Sequence, residues 1–335
     1  AEKKVTFDGD RIVIDTDRLY ANNDAVALKT EENLVIRTKN ANNVVLGYSK
    51  AEAGDKAEVN ASITVASGSK ADTNGNQADP LVYTGYTWVS TLDELQNMED
   101  NPEGYYALAN SIDANYTFEP GKSFDPIGTS KDQAFRGRFD GLGFSIFALN
   151  VKKNDGYAGL FGYTDGATIR NVTLNSGSVT GDQFTGALVG YASNSTIENI
   201  INTQDVTGSG SVGGIIGYAS GGSTLSNLVN VGTVQASGNE VGGIVGTLVN
   251  RTTYNLGAVI ASDSSAVGGL VGRATNSTIG NENGEVIYNQ LNVTGGHEVG
   301  GIVGQIDSST VQNVANYGDI SAQDFAEEDY QYHTA

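Results

Sequence analysis

The amino-acid sequence predicts an all-β chain wound as a right-handed parallel β-helix, a β-solenoid, with a short helix-containing insertion near 91–99. Three observations predict it. A glycine-flanked apolar pattern recurs six times from about residue 157, its last glycine falling at 162, 190, 217, 246, 272 and 304. The steps between copies are 28, 27, 29, 26 and 32 residues, the size of one supersecondary unit that buries its apolar face only by stacking on copies of itself. Behind each copy follows a second pattern, apolar-x-Asn-apolar, as in Ile169-Arg170-Asn171-Val172 and Ile197-Glu198-Asn199-Ile200.

Taken in order, residues 1–80 read as a β-rich segment and linker. Val5-Thr6-Phe7, Ile12-Val13-Ile14, Ala25–Leu28, Leu34-Val35-Ile36 and Val44-Val45-Leu46 are short apolar runs with polar turns between them. They fit early, degenerate coils or a small β domain, and 67–80, rich in Gly, Asn and Asp, fits a loop. Residues 81–130 read as an α+β entry segment. Thr91-Leu92-Asp93-Glu94 has capping-box spacing, and Leu92, Leu95 and Met98 recur at helical intervals, so a helix is expected over 91–99 until Asn101-Pro102-Glu103-Gly104 stops it. Tyr105–Leu108 then reads as a strand.

Residues 131–335 read as the solenoid with an acidic tail. Three strands per coil are expected: the glycine-flanked strand, the asparagine strand, and a shorter one marked by Val179, Val206, Val234, Val259 and Ile320. A leucine-rich repeat has a similar period, but its Leu-x-x-Leu-x-Leu run is missing. At ~4.8 Å per coil, six coils extend roughly 30 Å along the axis. The glycines are expected at corners that need positive φ or close backbone approach. The 273–298 coil is longer than its neighbours, which places Glu282–Asn292 on a protruding loop and makes Tyr288 a candidate partner contact.

The asparagines at 171, 199, 227, 255, 281 and 313 form a series with one member per coil. Stacked amides hydrogen-bond one another and take up corner groups that the strand ladder leaves unpaired, so Asn171, Asn199, Asn227, Asn255, Asn281 and Asn313 are read as a structural ladder rather than a glycan site. Seven Asn-x-Ser/Thr sequons occur, at Asn60, Asn115, Asn171, Asn194, Asn250, Asn276 and Asn292, about as many as chance gives so polar a chain.

Composition narrows the function classes. The formal net charge is −20, which argues against nucleic acid and anionic membrane surfaces, since both need clustered Lys and Arg. The acidity is read as solubility and self-repulsion; Asp8-Gly9-Asp10 and Asp15-Thr16-Asp17 lack the spacing of a calcium loop. No run approaches the ~18 apolar residues of a membrane-spanning helix. With no cysteine, disulfides and thiolate metal sites are excluded.

The glycine-flanked strands followed by apolar-x-Asn-apolar strands resemble the GLUG repeat. The run Tyr105–Ala114, then Phe124-Asp125-Pro126-Ile127-Gly128, then Phe135–Gly143, is similar to segments of filamentous-haemagglutinin-like adhesins of two-partner secretion. The resemblance covers about 105–322. It implies a segment of a secreted or bacterial-surface adhesin, a rigid stalk and binding surface whose partner is a glycan or protein of a host or neighbouring cell. The amino-terminal secretion domain of such exoproteins is not seen, so an internal segment is expected. GLUG repeats also occur in IgA-cleaving metallopeptidases, and the non-catalytic repeat region of a secreted protease stays open as an alternative, as does a carbohydrate-active β-helix enzyme.

Residue chemistry gives little hold for catalysis. Only His297 and His333 are present, so an HExxH zinc site is impossible. Carboxylates are dispersed, and no nucleophile–base set or phosphate loop can be assembled. The chain is therefore expected to be no enzyme, to use no cofactor or metal, to enter no membrane, and to act as a monomer.

Overall fold

The computed structural model describes residues 86–249, 259–261, 266–280 and 286–322, together with the backbone of seven strands between Val5 and Ser67. It divides into two compact units, residues 1–89 with 104–109, and residues 90–103 with 110–335.

In the first unit every strand pairing is parallel among the described residues. Val5–Asp8 pairs with Val26–Lys29, Arg11–Asp15 with Asn33–Arg37, Asn33–Thr38 with Ser62–Ser67, and Leu19–Asn22 with Val44–Gly47. Parallel neighbours some 21–29 residues apart are coils, not the antiparallel neighbours of a sandwich. Leu19–Asn22 and Ser62–Ser67 were not expected as strands; the first has no β-branched residue, whereas Ile63-Thr64-Val65 in the second is a β-branched run that sequence reasoning passed over.

The second unit opens with the expected helix, now bounded as Leu92–Gln96 and continued as a 3₁₀ turn, Asn97–Asp100. Thr91 Oγ1 accepts from Glu94 N at 3.2 Å while Glu94 Oε2 accepts from Thr91 N at 3.2 Å, closing the capping box. Leu95 and Met98 are fully buried, so the helix is fixed by its apolar side as well as by its cap.

Six coils follow. The first face takes one strand from each: Tyr157–Ala158, Phe184–Gly186, Ser211–Gly213, Glu240–Gly242, Ala266–Gly268 and Val299–Gly300. The second is Phe161–Asp165, Val189–Ser193, Ile216–Ser220, Val245–Val249, Val271–Thr275 and Val303–Asp307. A bent third face carries Thr168–Thr180, Thr196–Asn202 and Thr224–Asn230, with Asp205–Gly208, Val234–Ala236, Val259–Ala261, Val293–Gly295 and Ile320–Ala322 beyond the bend. All these pairings are parallel.

Two expectations are corrected here. A regular coil holds four strand segments rather than three, because the glycine-flanked pattern is not one strand but the corner between the first and second faces. Glu282–Asn292 is not a single protruding loop either. Ile287–Asn289 pairs with Val314–Asn316, and Val293–Gly295 pairs with both Val259–Ala261 and Ile320–Ala322. The register advances 32 residues at Ile279↔Val311 but 27 at Ile287↔Val314, so the extra length falls between residues 279 and 287.

Core columns run along the axis. Leu188, Ile215, Ile244 and Leu270 are fully buried, as are Ile169 and Ile197, and Val179, Val206, Val234 and Val293. Each such side chain contributes roughly 1.5–3 kcal/mol on burial, so the coils are held by accumulation rather than by one centre.

The corner explains the glycines. At Gly213 a Cβ would lie 2.0 Å from the Ile216 carbonyl oxygen, so the requirement is close backbone approach and not positive φ. At the next position, Gly214, a Cβ would lie 2.3 Å from the Asn230 side-chain nitrogen. It would also lie 2.2 Å from the Gly243 carbonyl oxygen, so the second glycine admits both an asparagine and the backbone of the next coil.

Candidate functional site

The described residues of the predicted asparagine series stand at left-handed turns. Asn171, Asn199, Asn227 and Asn313 have φ of 56°, 57°, 50° and 52°. Asparagine tolerates this region better than other side-chain-bearing residues, because its short amide bonds locally. Asn227 Nδ2 donates to Asn199 Oδ1 at 3.0 Å, Asn199 Nδ2 to Asn171 Oδ1 at 3.1 Å, and Asn171 Nδ2 to Asp140 Oδ1 at 2.9 Å. The column ends on a buried ion pair, Asp140 with Arg170 at 2.7 Å. Asn199 and Asn227 are exposed. Asn255 and Asn281 lie outside the described residues.

Three residues further on lies a second asparagine column that sequence reasoning missed. Asn202, Asn230 and Asn289 are 0 % exposed. Asn202 Nδ2 donates to Asn230 Oδ1 at 2.8 Å and Asn289 Nδ2 to Asn316 Oδ1 at 2.8 Å. Each amide also donates to the carbonyl two residues ahead: Asn202 to Gln204, Asn230 to Gly232, Asn289 to Leu291 and Asn316 to Gly318. The available signal was the triplet Asn-x-Gly at 230–232 and 316–318.

Tyr288 sits on the strand Ile287–Asn289, half-buried, its ring edge-on to Tyr317 at 6.1 Å. Tyr317 is 71 % exposed and is the more accessible ring of the pair.

Outward side chains of the first and second faces meet along a seam. On the second face the column in register is Tyr163, Tyr191, Tyr218, Thr247, Arg273 and Gln305. Tyr163 and Tyr191 stack at 4.7 Å and 6°, and Tyr191 and Tyr218 at 4.7 Å and 14°. From the first face, Phe184 meets Tyr191 and Tyr218 edge-on at 5.3 and 5.4 Å and stacks on Tyr157 at 5.5 Å. Burial pushes the Tyr163 and Tyr218 phenols above their ordinary pKa, with Tyr191 adding to the shift in both. Ser220 Oγ donates to the Tyr191 phenol oxygen at 3.2 Å.

Beyond Tyr218 the seam changes character. Ser211, Glu240, Thr247 and Arg273 replace the rings. Arg273 faces Glu240 at 3.7 Å, and the Ser211 and Thr247 hydroxyls are 2.7 Å apart, both nearly buried. His297 and the dispersed acids build no metal cluster among the described residues. No helix among those residues is long and apolar enough to cross a membrane.

No family model matches the chain, so nothing there carries the GLUG or adhesin resemblance. In sequence it is 33 % identical over 274 residues to Halomucin of Haloquadratum walsbyi, which covers 73 % of this chain and 3 % of that protein. It is 37 % identical over 198 residues to a provisionally named Gly-rich membrane protein of Evansella cellulosilytica, covering 54 % of this chain and 23 % of that one. The chain thus spans a small part of both relatives. Among solved structures it is similar to a provisionally named immunoglobulin A1 protease of Bacteroides ovatus, with a TM-score of 0.49, 18 % identity, and coverage of 71 % of this chain and 84 % of that one. It is also similar to an IgA1 protease, with a TM-score of 0.43, 17 % identity, and coverage of 79 % and 22 %. The parallel β-solenoid rests on the chain's own strand pairings. One expectation is overturned by the comparisons: the solved neighbours carry the names of enzymes, so the missing zinc-protease motif does not place this chain outside protease-related proteins.

Proposed function

We infer that this chain is a rigid β-solenoid segment of a secreted or bacterial-surface protein of the GLUG-repeat adhesin kind, presenting a binding surface to a glycan or protein of another cell. One observation carries the reading. Six coils stack in continuous register while the seam between two faces gathers five aromatic rings, of which Tyr157, Phe184, Tyr191 and Tyr218 are half-buried and Tyr163 is buried. Aromatic rings and a few polar groups held on a stiff scaffold are what recognition surfaces use.

A screen of the folded chain against glycan and host-protein panels tests this. Saturable binding to at least one panel member is expected; a monomeric, folded sample that binds nothing overturns it. A second reading is the non-catalytic repeat region of a secreted protease; a folded sample that binds no panel member and cleaves no IgA1 by itself would leave that reading in place of the adhesin.

A further inference from the structure

At the corner between the first and second faces, two successive N–H groups of one coil converge on a single carbonyl of the next. Leu188 N and Val189 N donate to Ile215 O at 3.0 and 3.1 Å, and Ile215 N and Ile216 N to Ile244 O at 3.0 and 2.9 Å. Ile244 N and Val245 N reach Leu270 O at 3.0 and 3.2 Å, and Leu270 N and Val271 N reach Ile302 O at 2.8 and 3.1 Å. Ile302 and Val303 carry the next such pair, and no following coil supplies its carbonyl among the described residues. The side-chain columns break at the same place. Ala192, Ala219, Leu248 and Ala274 are at most 1 % exposed, whereas Ile306, in register with Ala274, is 52 % exposed. Val206, Val234 and Val293 are fully buried, whereas Ile320, in register with Val293, is 50 % exposed. The inner asparagine column also stops here: Asn289 donates onward to Asn316, while Asn316 donates to Gly318 O within its own coil. In the first unit, Val5–Asp8, Arg11–Asp15 and Leu19–Asn22 each pair on one side only among the described residues, with strands that follow them in the chain.

We propose that these two open edges form one interface, in which the last coil, Val299–Ala322, stacks head to tail on the first strands, Val5–Asn22, of a second copy. The contact continues the one that already joins coil to coil, since strand pairings in both units are parallel and a parallel edge is extended by another parallel strand. Hydrogen-bond polarity selects the orientation. Two copies meeting by their last coils would set Ile302 N, Val303 N and the Asn316 amide against the same donors. Meeting head to tail sets them against a strand edge that carries backbone carbonyls. Ile306 and Ile320 then leave water, as the same positions do in the earlier coils. A contact between two different patches is heterologous, so each copy keeps one end open for another. The net charge of −20 opposes the approach of copies, so salt strengthens the contact by screening it. The glycan or protein partner proposed above is independent of this interface.

The chain has no cysteine, so single cysteines report the geometry. Ser321→Cys marks the last coil and Thr6→Cys the first strand. A short bismaleimide is expected to link the two variants when they are mixed and to link neither variant to itself. Sedimentation velocity of the full chain is expected to show association that grows with concentration and with salt. Ile306→Lys combined with Ile320→Lys, at positions exposed enough to spare the fold, is expected to weaken it about a hundredfold with the circular dichroism spectrum kept. A chain that stays monomeric at its highest soluble concentration in high salt overturns the proposal. So does linkage of Ser321→Cys to itself in place of the mixed product, which would mean tail-to-tail contact. Association unchanged in the double lysine variant places the interface elsewhere and overturns it as well. If the full chain is monomeric but a chain ending at Ala322 associates, residues 323–335 occupy the end and a second copy is overturned as its occupant.

Discussion

Two columns of asparagine run along this solenoid three residues apart and obey opposite physics. The outer one, Asn171, Asn199 and Asn227, stands at left-handed turns where the third face bends, its amides bonded to one another beside solvent. The inner one, Asn202, Asn230 and Asn289, lies in the core, where every donor needs an acceptor. The outer position selects asparagine for its backbone conformation. The inner position selects it for its hydrogen bonds, and a glycine on the facing corner makes the room: Gly214 for Asn230, Gly269 for Asn289, Gly301 for Asn316. The same residue at the same period thus marks a bend in one column and a core network in the other.

The largest expected effect lies where the outer column runs into the interior. Asp140 holds Arg170 at 2.7 Å with side chains 2 % and 8 % exposed, and also accepts from Asn171 and from Leu142 N. Removing the carboxylate takes the opposite charge away from a buried guanidinium, so Asp140→Ala should cost ~3–5 kcal/mol in denaturant unfolding. A loss near zero would mean that the column needs no anchor at this end. Next in size is Asn230→Leu, which keeps the branching at Cγ with a larger side chain but leaves Asn202 short of an acceptor at 2.8 Å and Gly232 short of a donor at 2.9 Å. About 2–3 kcal/mol is expected, since buried polar groups without partners carry their full desolvation cost. If Asn230→Leu proves neutral, the inner column is packing rather than bonding.

The sequence made the solenoid legible because its signals are local and repeated. Capping-box spacing located the helix at Thr91, and the valines at 179, 206, 234 and 259 marked one column of the third face. Strand count was harder to read, since Val-Gly-Gly-Ile-Ile-Gly looks like one apolar run. That it turns a corner is visible only when the Gly213 approach to the Ile216 carbonyl is measured. The inner asparagines were hidden for a different reason. The steps of 28 from Asn171 to Asn199 to Asn227 drew attention to one column, while Asn202 and Asn230 run beside it at the same spacing. A one-dimensional period cannot tell two columns apart when coils differ in length. The seam was illegible for the same kind of reason: Tyr163, Tyr191 and Tyr218 are evenly spaced, but their contact with Phe184 joins two faces, and adjacency across faces leaves no mark in spacing.

A finer cut through the comparison uses Asn227 itself. If backbone conformation selects the residue, Asn227→Gly should change stability by no more than ~0.5 kcal/mol, because glycine adopts φ of 50° without strain. Asn227→Val, with a branched β-carbon in the left-handed region, should cost ~1–2 kcal/mol. Equal losses from both would shift the weight to the amide bond with Asn199 and make the outer column resemble the inner one.

The tyrosine stack falls between the two cases, outward yet shielded by its own rings, and gives the smallest effect. Burial, with Tyr191 second, raises the pKa of Tyr163 and Tyr218 in the folded chain above the ordinary 10.0. The folded state therefore prefers the protonated phenol. That preference is fully present below pH 10.0 and is lost as pH climbs through the higher folded-state pKa values. Tyrosinate absorbance should rise later in the native chain than in denaturant, and stability should decline across the same alkaline window. Phenylalanine at 163 and 218 removes the titrating groups while keeping the rings, so the decline should flatten while the stack survives. Native and denatured chains that titrate together would show that stacking leaves these phenols as wet as the exposed Tyr317, and that the seam is open along its whole length.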